Sequence, residues 1–178
     1  MGPEDPVGRL KGASKVISAL EHFILRIGKA SSWLNFVLVG VIIVQVVLRY
    51  VFGRGLVVLE EVQWHLYGVG IMIGLSYCLT NDSHIRLDIL HNKFSKRTQE
   101  KIEFLGIIFL LMPMVIIIFL HGMDYFWEAV KINERSDAPL GLCCRWAPKA
   151  IIPLSMILLF IAGIARAARA FMYLRDHK

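Results

Sequence analysis

The fold of this chain is decided by residues 53–88, which read GRGLVVLEEVQWHLYGVGIMIGLSYCLTNDSHIRLD. Within this stretch, residues 62–80 contain no Asp, Glu, Lys or Arg. About 19 helical residues, each rising ~1.5 Å, cross the ~30 Å hydrocarbon layer of a bilayer. Gly70 and Gly74 lie one helical turn apart, so one helix face is open to the close approach of another helix. The stretch therefore predicts a membrane-spanning helix that packs against other spans.

The composition of the whole chain also favours a membrane protein. Of its 178 residues, 56% are hydrophobic and only 19% are charged. This balance disfavours a soluble domain and predicts one small polytopic membrane domain. The formal charge of +6 does not indicate nucleic-acid binding, because the basic residues lie in short segments between apolar runs, where they act as topology signals. Three cysteines, two of them adjacent at Cys143 and Cys144, give neither a disulfide framework nor a CxxC metal pair.

Three further apolar runs predict three more spans and thus an all-α polytopic membrane protein with four transmembrane helices. Pro113 lies in the middle of the third span, where the loss of one backbone hydrogen bond predicts a kink. Residues 13–29 precede the first span and carry apolar side chains at helical spacing, with charged side chains on the remaining surface. This pattern predicts an N-terminal amphipathic helix at the membrane interface. The four predicted spans are residues 33–52, 62–80, 104–121 and 150–168.

The distribution of Lys and Arg predicts the orientation of the chain. Fourteen of the 20 basic residues fall in the N-terminal segment, the second connection and the C-terminal tail, and six fall in the first and third connections. The positive-inside rule therefore puts both termini in the cytoplasm, and Glu60 and Glu61 then face outward. The predicted organisation is a cytoplasmic tail with the amphipathic helix (1–32), one four-span membrane domain (33–172) and a short cytoplasmic tail (173–178).

The predicted spans have no carboxylate and no basic side chain near their middle. Self-sufficient transporters, proton relays and pumps place such groups in the interior of the bundle. Many transporters also consist of two similar halves with broken helices, a pattern that is missing here. The chain is therefore not expected to move a solute alone, and no enzyme activity and no cofactor or metal site is predicted.

An alternative function is that of a haem-binding membrane anchor of a redox enzyme. His65 and His121 lie near the outer ends of the second and third predicted spans. Two imidazoles at one depth on facing helices could ligate a haem iron axially. Histidines near span ends more often meet headgroups or water, so this function ranks second.

Several short motifs follow one another along the chain. This ordered set on a four-span frame resembles the small membrane subunit, of DctQ type, of tripartite ATP-independent periplasmic (TRAP) transporters, over about residues 31–171. The motifs are LRYVFG at 48–53, EEVQW at 60–64, DSHIRLD at 82–88, Glu134-x-Ser136, and then Arg145-Trp146 and Lys149 ahead of the fourth span.

The resemblance implies an accessory role in solute uptake. In such systems a periplasmic solute-binding protein captures an organic acid or a similar solute, and a large membrane subunit moves it with a sodium gradient. The small subunit braces the large one in the bacterial inner membrane, so the expected partners are these two proteins and the lipid bilayer, with no nucleic acid. Gly70 and Gly74 are expected to support packing in the membrane. The full set of candidate partner-contact residues is Glu60, Glu61, Trp64, Gly70, Gly74, Arg145, Trp146 and Lys149.

Overall fold

The computed structural model describes residues 6–81, 94–138 and 141–176 of the chain. A π-helical turn, Ile107–Leu111, joins the helix Lys96–Gly106 to the helix Met112–Lys131, so residues 96–131 form one continuous helical rod. The described residues contain helices and connections but no strand, which confirms the all-α prediction. The connection after the second helix, which carries the DSHIRLD motif at 82–88, lies outside them. The helices are α1 (Pro6–Tyr50), α2 (Val57–Thr80), α3 (Lys96–Gly106), α4 (Met112–Lys131), α5 (Trp146–Lys149) and α6 (Ile151–Asp176).

The first helix differs from the prediction. We expected an amphipathic helix at 13–29 to be separate from a span that begins at Trp33, but α1 runs without a break from Pro6 to Tyr50. No proline interrupts the junction, and the Ser32 hydroxyl donates a hydrogen bond to the Gly28 carbonyl at 3.1 Å. This bond stays within the helix, so the serine does not end it. The predicted division between residues 32 and 33 therefore does not coincide with a helix end.

Among the described residues, three helices are long and apolar enough, by length and composition, to cross a membrane. They are Ile17–Tyr50, Lys96–Lys131 and Trp146–Arg175; the first covers all but the last two residues of the predicted first span, and the others contain the predicted third and fourth spans. A polytopic helical membrane protein is thus confirmed. The helix α2, at 24 residues, is not among the three candidates. Its first turns carry the polar side chains of Glu60, Gln63 and His65.

The central element of the fold is α6, which packs against α1, α2, α3 and α4. Its buried face is formed largely by small side chains such as Ala162, Ala165 and Ala170. Small residues let neighbouring helices approach closely, and this close packing holds helices together in lipid, where water does not drive association. The hydrophobic core cluster comprises Ile24, Leu79, Val115, Met156, Leu159 and Ala162.

Glycines mark the closest contacts between helices. A Cβ atom at Gly28 of α1 would lie 2.3 Å from Cδ2 of Tyr77 in α2. A Cβ atom at Gly122 of α4 would lie 2.7 Å from Cγ2 of Ile152 in α6. Both distances are far shorter than van der Waals contact, so these two helix pairs keep their spacing only while glycine occupies the position.

The irregularity expected at Pro113 takes the form of the π-helical turn directly before it. The backbone N–H of Met112 donates to the carbonyl of Ile107, five residues earlier, instead of the usual four. A Cβ atom at Gly163 of α6 would lie 2.5 Å from the Met112 side chain, so the widened turn packs against a glycine. Such turns are a recognised cause of helix bending.

A group of ion pairs ties the helices together near the C-terminal end of α6. The Arg166 side chain is buried, and its guanidinium lies 3.0 Å from a carboxylate oxygen of Glu100 and 2.5 Å from one of Glu103, both on α3. One turn further on, Arg169 pairs with Glu21 of α1. A buried charge is tolerated only when it is paired. The three helices are therefore locked at this end, which the basic-residue count predicts to be cytoplasmic.

The spacing of α1 and α2 can be tested with one matched pair of glycine substitutions. Gly28→Ala introduces a Cβ that overlaps Tyr77, so we expect a loss of about 1–3 kcal/mol in the free energy of unfolding. The control is Gly40→Ala on the same helix, where a Cβ would meet nothing within 4 Å. We expect that change to be neutral or slightly stabilising, because alanine favours helix more than glycine does. The measurement is thermal unfolding of the purified protein in detergent, and equal melting temperatures for the two variants would contradict the assigned contact.

Candidate functional site

The connection between α4 and α5 folds back on itself at the helix ends. We call residues 132–145 the outer loop, of which 139 and 140 lie outside the described part. Asn133 has a φ of 45°, which turns the chain away from the axis of α4. The Ser136 N–H then donates to the Leu142 carbonyl at 3.2 Å, and the Arg145 N–H donates to the Glu134 carbonyl at 3.0 Å. The two limbs of the loop are therefore joined by backbone hydrogen bonds.

The outer loop is tethered to α2 through Glu61. The Ser136 hydroxyl donates to one oxygen of the Glu61 carboxylate, and the Leu142 N–H donates to the other at 2.6 Å. The hydroxyl of Ser136 and then the backbone N–H of Leu142 lower the pKa of Glu61 below its usual value, because both hydrogen bonds stabilise the carboxylate. Both oxygens of this side chain are thus occupied by the loop.

The same loop is tethered to α5 through Glu134. The Glu134 carboxylate pairs with the ammonium of Lys149, which lies 3.8 Å from the centre of the Tyr125 ring of α4. The Lys149 side chain is only 12% exposed, so its charge is held against these two groups. Glu134 and Ser136 are two residues apart and hold two different helices. The Glu-x-Ser motif therefore fixes the loop to both sides of the bundle.

Glu60 takes part in a separate contact, between the end of α1 and the start of α2. Its carboxylate accepts a hydrogen bond from Nε2 of Gln45 at 3.1 Å. The Oε1 of Gln45 accepts the N–H of Leu56 at 3.4 Å, and the Gln45 side chain is buried. The side-chain amide of Gln45 therefore binds both the connection between α1 and α2, at Leu56, and the exposed carboxylate of Glu60.

The remaining predicted site residues lie in different environments. Trp64 is 73% exposed, and Trp146 is partly exposed at the start of α5. The Arg145 guanidinium is 3.7 Å from the fully exposed Asp137 carboxylate, a weak surface pair. A Cβ at Gly70 would lie 3.1 Å from Oδ1 of Asn35, whereas a Cβ at Gly74 would meet nothing within 4 Å. Of the two glycines predicted to support packing, only Gly70 is at a position where a Cβ would meet another helix among the described residues.

A groove of about 310 Å³ opens beside the outer loop, between α2, α4 and α6. His65 lines it together with Trp64, Tyr125 and Lys149. His121 is exposed on α4 and is not among the residues that line this groove. Within the part of the chain that the structure describes, no three His, Cys, Asp or Glu side chains gather in a way that could hold a metal ion.

Several residues of the site were not among those predicted from the sequence. Ser136 and Glu134 were part of a motif, but their contacts could not be assigned, because the motif does not say which helix each side chain meets. Gln45 lies in an apolar run, and such a run does not indicate which polar groups the amide meets. Leu142 acts through its backbone N–H, which has no signal in the sequence.

The fold and the site define a polytopic helical membrane protein whose outer loop is fastened to the ends of its helices. Comparison with protein families gives its affiliation. The family model described as "Tripartite ATP-independent periplasmic transporters, DctQ component" matches residues 38–172. This is well over half of the chain, so the chain belongs to the DctQ family of TRAP transporter components, which are not enzymes. The match confirms the resemblance seen in the motifs, and TRAP membership implies the inner membrane. No curated protein matches the chain.

The Glu61 tether predicts the behaviour of the outer loop on substitution. Glu61→Ala removes the acceptor of the Leu142 N–H, so we expect that amide to exchange with solvent roughly tenfold faster or more, since hydrogen bonds to charged acceptors are strong. The folded-state pKa is lowered, so the tether is complete above the usual pKa of a carboxyl group and is lost as the pH falls through the lowered value. Hydrogen exchange of the purified protein, resolved by mass spectrometry, measures both effects.

The control for this experiment is Glu128→Ala. Glu128 is an exposed acid on α4, and its replacement removes the same charge while leaving the backbone hydrogen bond from Ile132 to the Glu128 carbonyl in place. Exchange of Leu142 should be the same in this variant as in the unaltered protein. If the Leu142 amide exchanges with solvent at the same rate in the Glu61→Ala and Glu128→Ala variants, Glu61 does not tether the loop.

Proposed function

We propose that this chain is the small accessory subunit that braces the large membrane subunit of a TRAP uptake system. The system would be a sodium-coupled secondary transporter that receives an organic acid or a similar solute from a periplasmic solute-binding protein. The observation that carries the proposal is the absence of charge from the membrane depth of every long helix. Residues 30–48, 62–80, 104–123 and 150–165 contain no Asp, Glu, Lys or Arg. A subunit that moved ions or an anionic solute by itself would need such groups.

The contacts of the site also suit a scaffold. Glu61 and Lys149 are held by the outer loop and are not free to receive a partner, whereas Glu60, Trp64, Arg145 and Trp146 remain at least partly exposed. In this proposal Glu61 and Lys149 fix the shape of the outer surface, and the exposed side chains contact the binding protein or the large subunit. This refines the expectation that all of them act as direct contacts.

We also propose that α2 is a fourth span and that both termini are cytoplasmic. Residues 62–80 are free of charge and packed between α1 and α6, which are both candidate spans. Because α1 and α6 shield part of its surface, the polar side chains of this helix can lie against protein and not against lipid.

Reconstitution tests the scaffold function. Proteoliposomes containing the large subunit and this chain should take up solute from the loaded binding protein when a sodium gradient is applied. The large subunit alone should show little or no uptake, and this chain alone should bind neither sodium nor solute. Full uptake by the large subunit alone, or uptake by this chain alone, would contradict the proposal. A red preparation that carries dehydrogenase subunits would favour the haem-anchor function of His65 and His121.

Cysteine labelling tests the fourth span. In a background with the three native cysteines changed to Ser, Arg54→Cys precedes α2 and Ser95→Cys precedes α3, and both positions are exposed. A membrane-impermeant maleimide should label the first in intact spheroplasts and the second only after permeabilisation. The two positions flank α2, so labelling of both from the same side would show that α2 does not cross.

A further inference from the structure

Asn35 is a polar side chain that is exposed at the depth of the membrane. It lies in the candidate span Ile17–Tyr50, about 9 Å along the helix from Lys29 and about 22 Å from Tyr50 at ~1.5 Å per residue. No hydrogen bond holds its amide anywhere in the described part of the chain. Lipid tails offer an amide no partner, so an exposed Asn in a span has a high free-energy cost unless another protein helix binds it.

The surface next to Asn35 on α2 is also open. The Oδ1 of Asn35 faces Gly70, and Tyr67 and Gly74 lie three residues before and four residues after that glycine, on the same side of the helix. Tyr67 is 51% exposed and Ile71 is 47% exposed. A Cβ at Gly74 would meet nothing within 4 Å. We call Asn35, Tyr67, Ile71 and Gly74 the Asn35 face.

The covered side of the α1–α2 pair is occupied by α6, which packs against both helices. The Asn35 face is therefore the side on which a further helix can be added. Its chemistry differs from the exposed surface of α4, where Met114, Ile117 and Leu120 are exposed and apolar. Lipid tails can solvate the apolar surface of α4 at no cost in hydrogen bonds. An amide, a phenol and an open glycine together match a helix that can exchange hydrogen bonds and approach closely.

We propose that the Asn35 face is the surface through which this chain binds a transmembrane helix of the large membrane subunit, with Asn35 as the polar contact. The inference rests on the proposed function, because it names the face by which the scaffold meets its partner. The partner helix offers a hydrogen-bonding side chain at the depth of Asn35 and a ridge that fills the space above Gly74.

Photo-crosslinking from two matched positions tests this assignment. A benzophenone amino acid is placed at Ile71 on the Asn35 face or at Ile117 on α4, which is 56% exposed. Each tagged variant is produced together with the other transporter components, irradiated in native membranes, and its products are identified by mass spectrometry. The expected result is a crosslink to the large subunit from position 71 and none from position 117.

Each other result overturns a different statement. A crosslink to the large subunit from position 117 alone, or co-purification of the large subunit without any crosslink from position 71, overturns the face and leaves the proposed function standing. A product of two copies of this chain from position 71 shows that the face binds a second copy. Absence of the large subunit from both the crosslinked and the co-purified material overturns the proposed function itself.

A substitution gives an independent measure of the polar contact. Asn35→Leu should lower the amount of large subunit that co-purifies in mild detergent about fivefold, the usual effect of one interhelical hydrogen bond in a membrane. Val37→Leu is the control, because Val37 is 49% exposed on the same helix and lies outside the Asn35 face. Both variants should keep the melting temperature of the isolated chain, since Asn35 makes no hydrogen bond to any residue that the structure describes. Equal co-purification of the two variants would overturn the role of Asn35.

Discussion

The high cost of a charge in hydrocarbon is the constraint on which this structure depends. The chain meets it by collecting its charged contacts at two levels. At one end, Glu61 and Glu134 fasten the outer loop to α2 and α5, and at the other end Arg166 binds two carboxylates of α3. Each level joins segments that are far apart in the sequence. The helices are therefore held at both ends by polar contacts, and the part between them needs none.

Between the two levels, close packing of the helices takes the place of polar contacts. Gly28 lets α1 approach Tyr77 of α2, and Gly122 lets α4 approach Ile152 of α6. Dispersion contacts over such close surfaces are the main attraction between helices in lipid, since apolar side chains gain nothing there by leaving water. This arrangement agrees with the proposed scaffold role, because a bundle with a charge-free middle can be rigid without offering a path or a site for an ion.

The sequence predicted the elements well, because their signals are local. Four charge-free runs gave the positions of the long helices, and Pro113 gave the place of the helical irregularity that became a π turn. The junction near Ser32 was misjudged because a change from mixed to apolar composition is not a change in backbone conformation. Composition can mark where a helix enters a membrane, but only a breaking residue or a cap marks where it ends.

The site was less predictable, since its contacts join distant residues. Glu61 was selected from the sequence, but its partners are a hydroxyl 75 positions away and a backbone N–H 81 positions away. The triad of Arg166, Glu100 and Glu103 was missed for the same reason, because each residue alone looks like an ordinary charge near a helix end. The spacing of residues in the sequence indicates which of them share a face of one helix. It does not indicate which helices pack against each other.

The composition of α2 connects these observations with the scaffold role. A helix at the edge of a membrane bundle is selected for apolar side chains over its whole lipid-facing surface. The open side of α2 instead carries Trp64, Tyr67 and Gly74, and the helix falls outside the group of three strongly apolar spans. A partly polar helix is stable at this position if protein and not lipid covers it. In the proposed function, the open side of α2 is therefore the surface whose environment depends most on a partner.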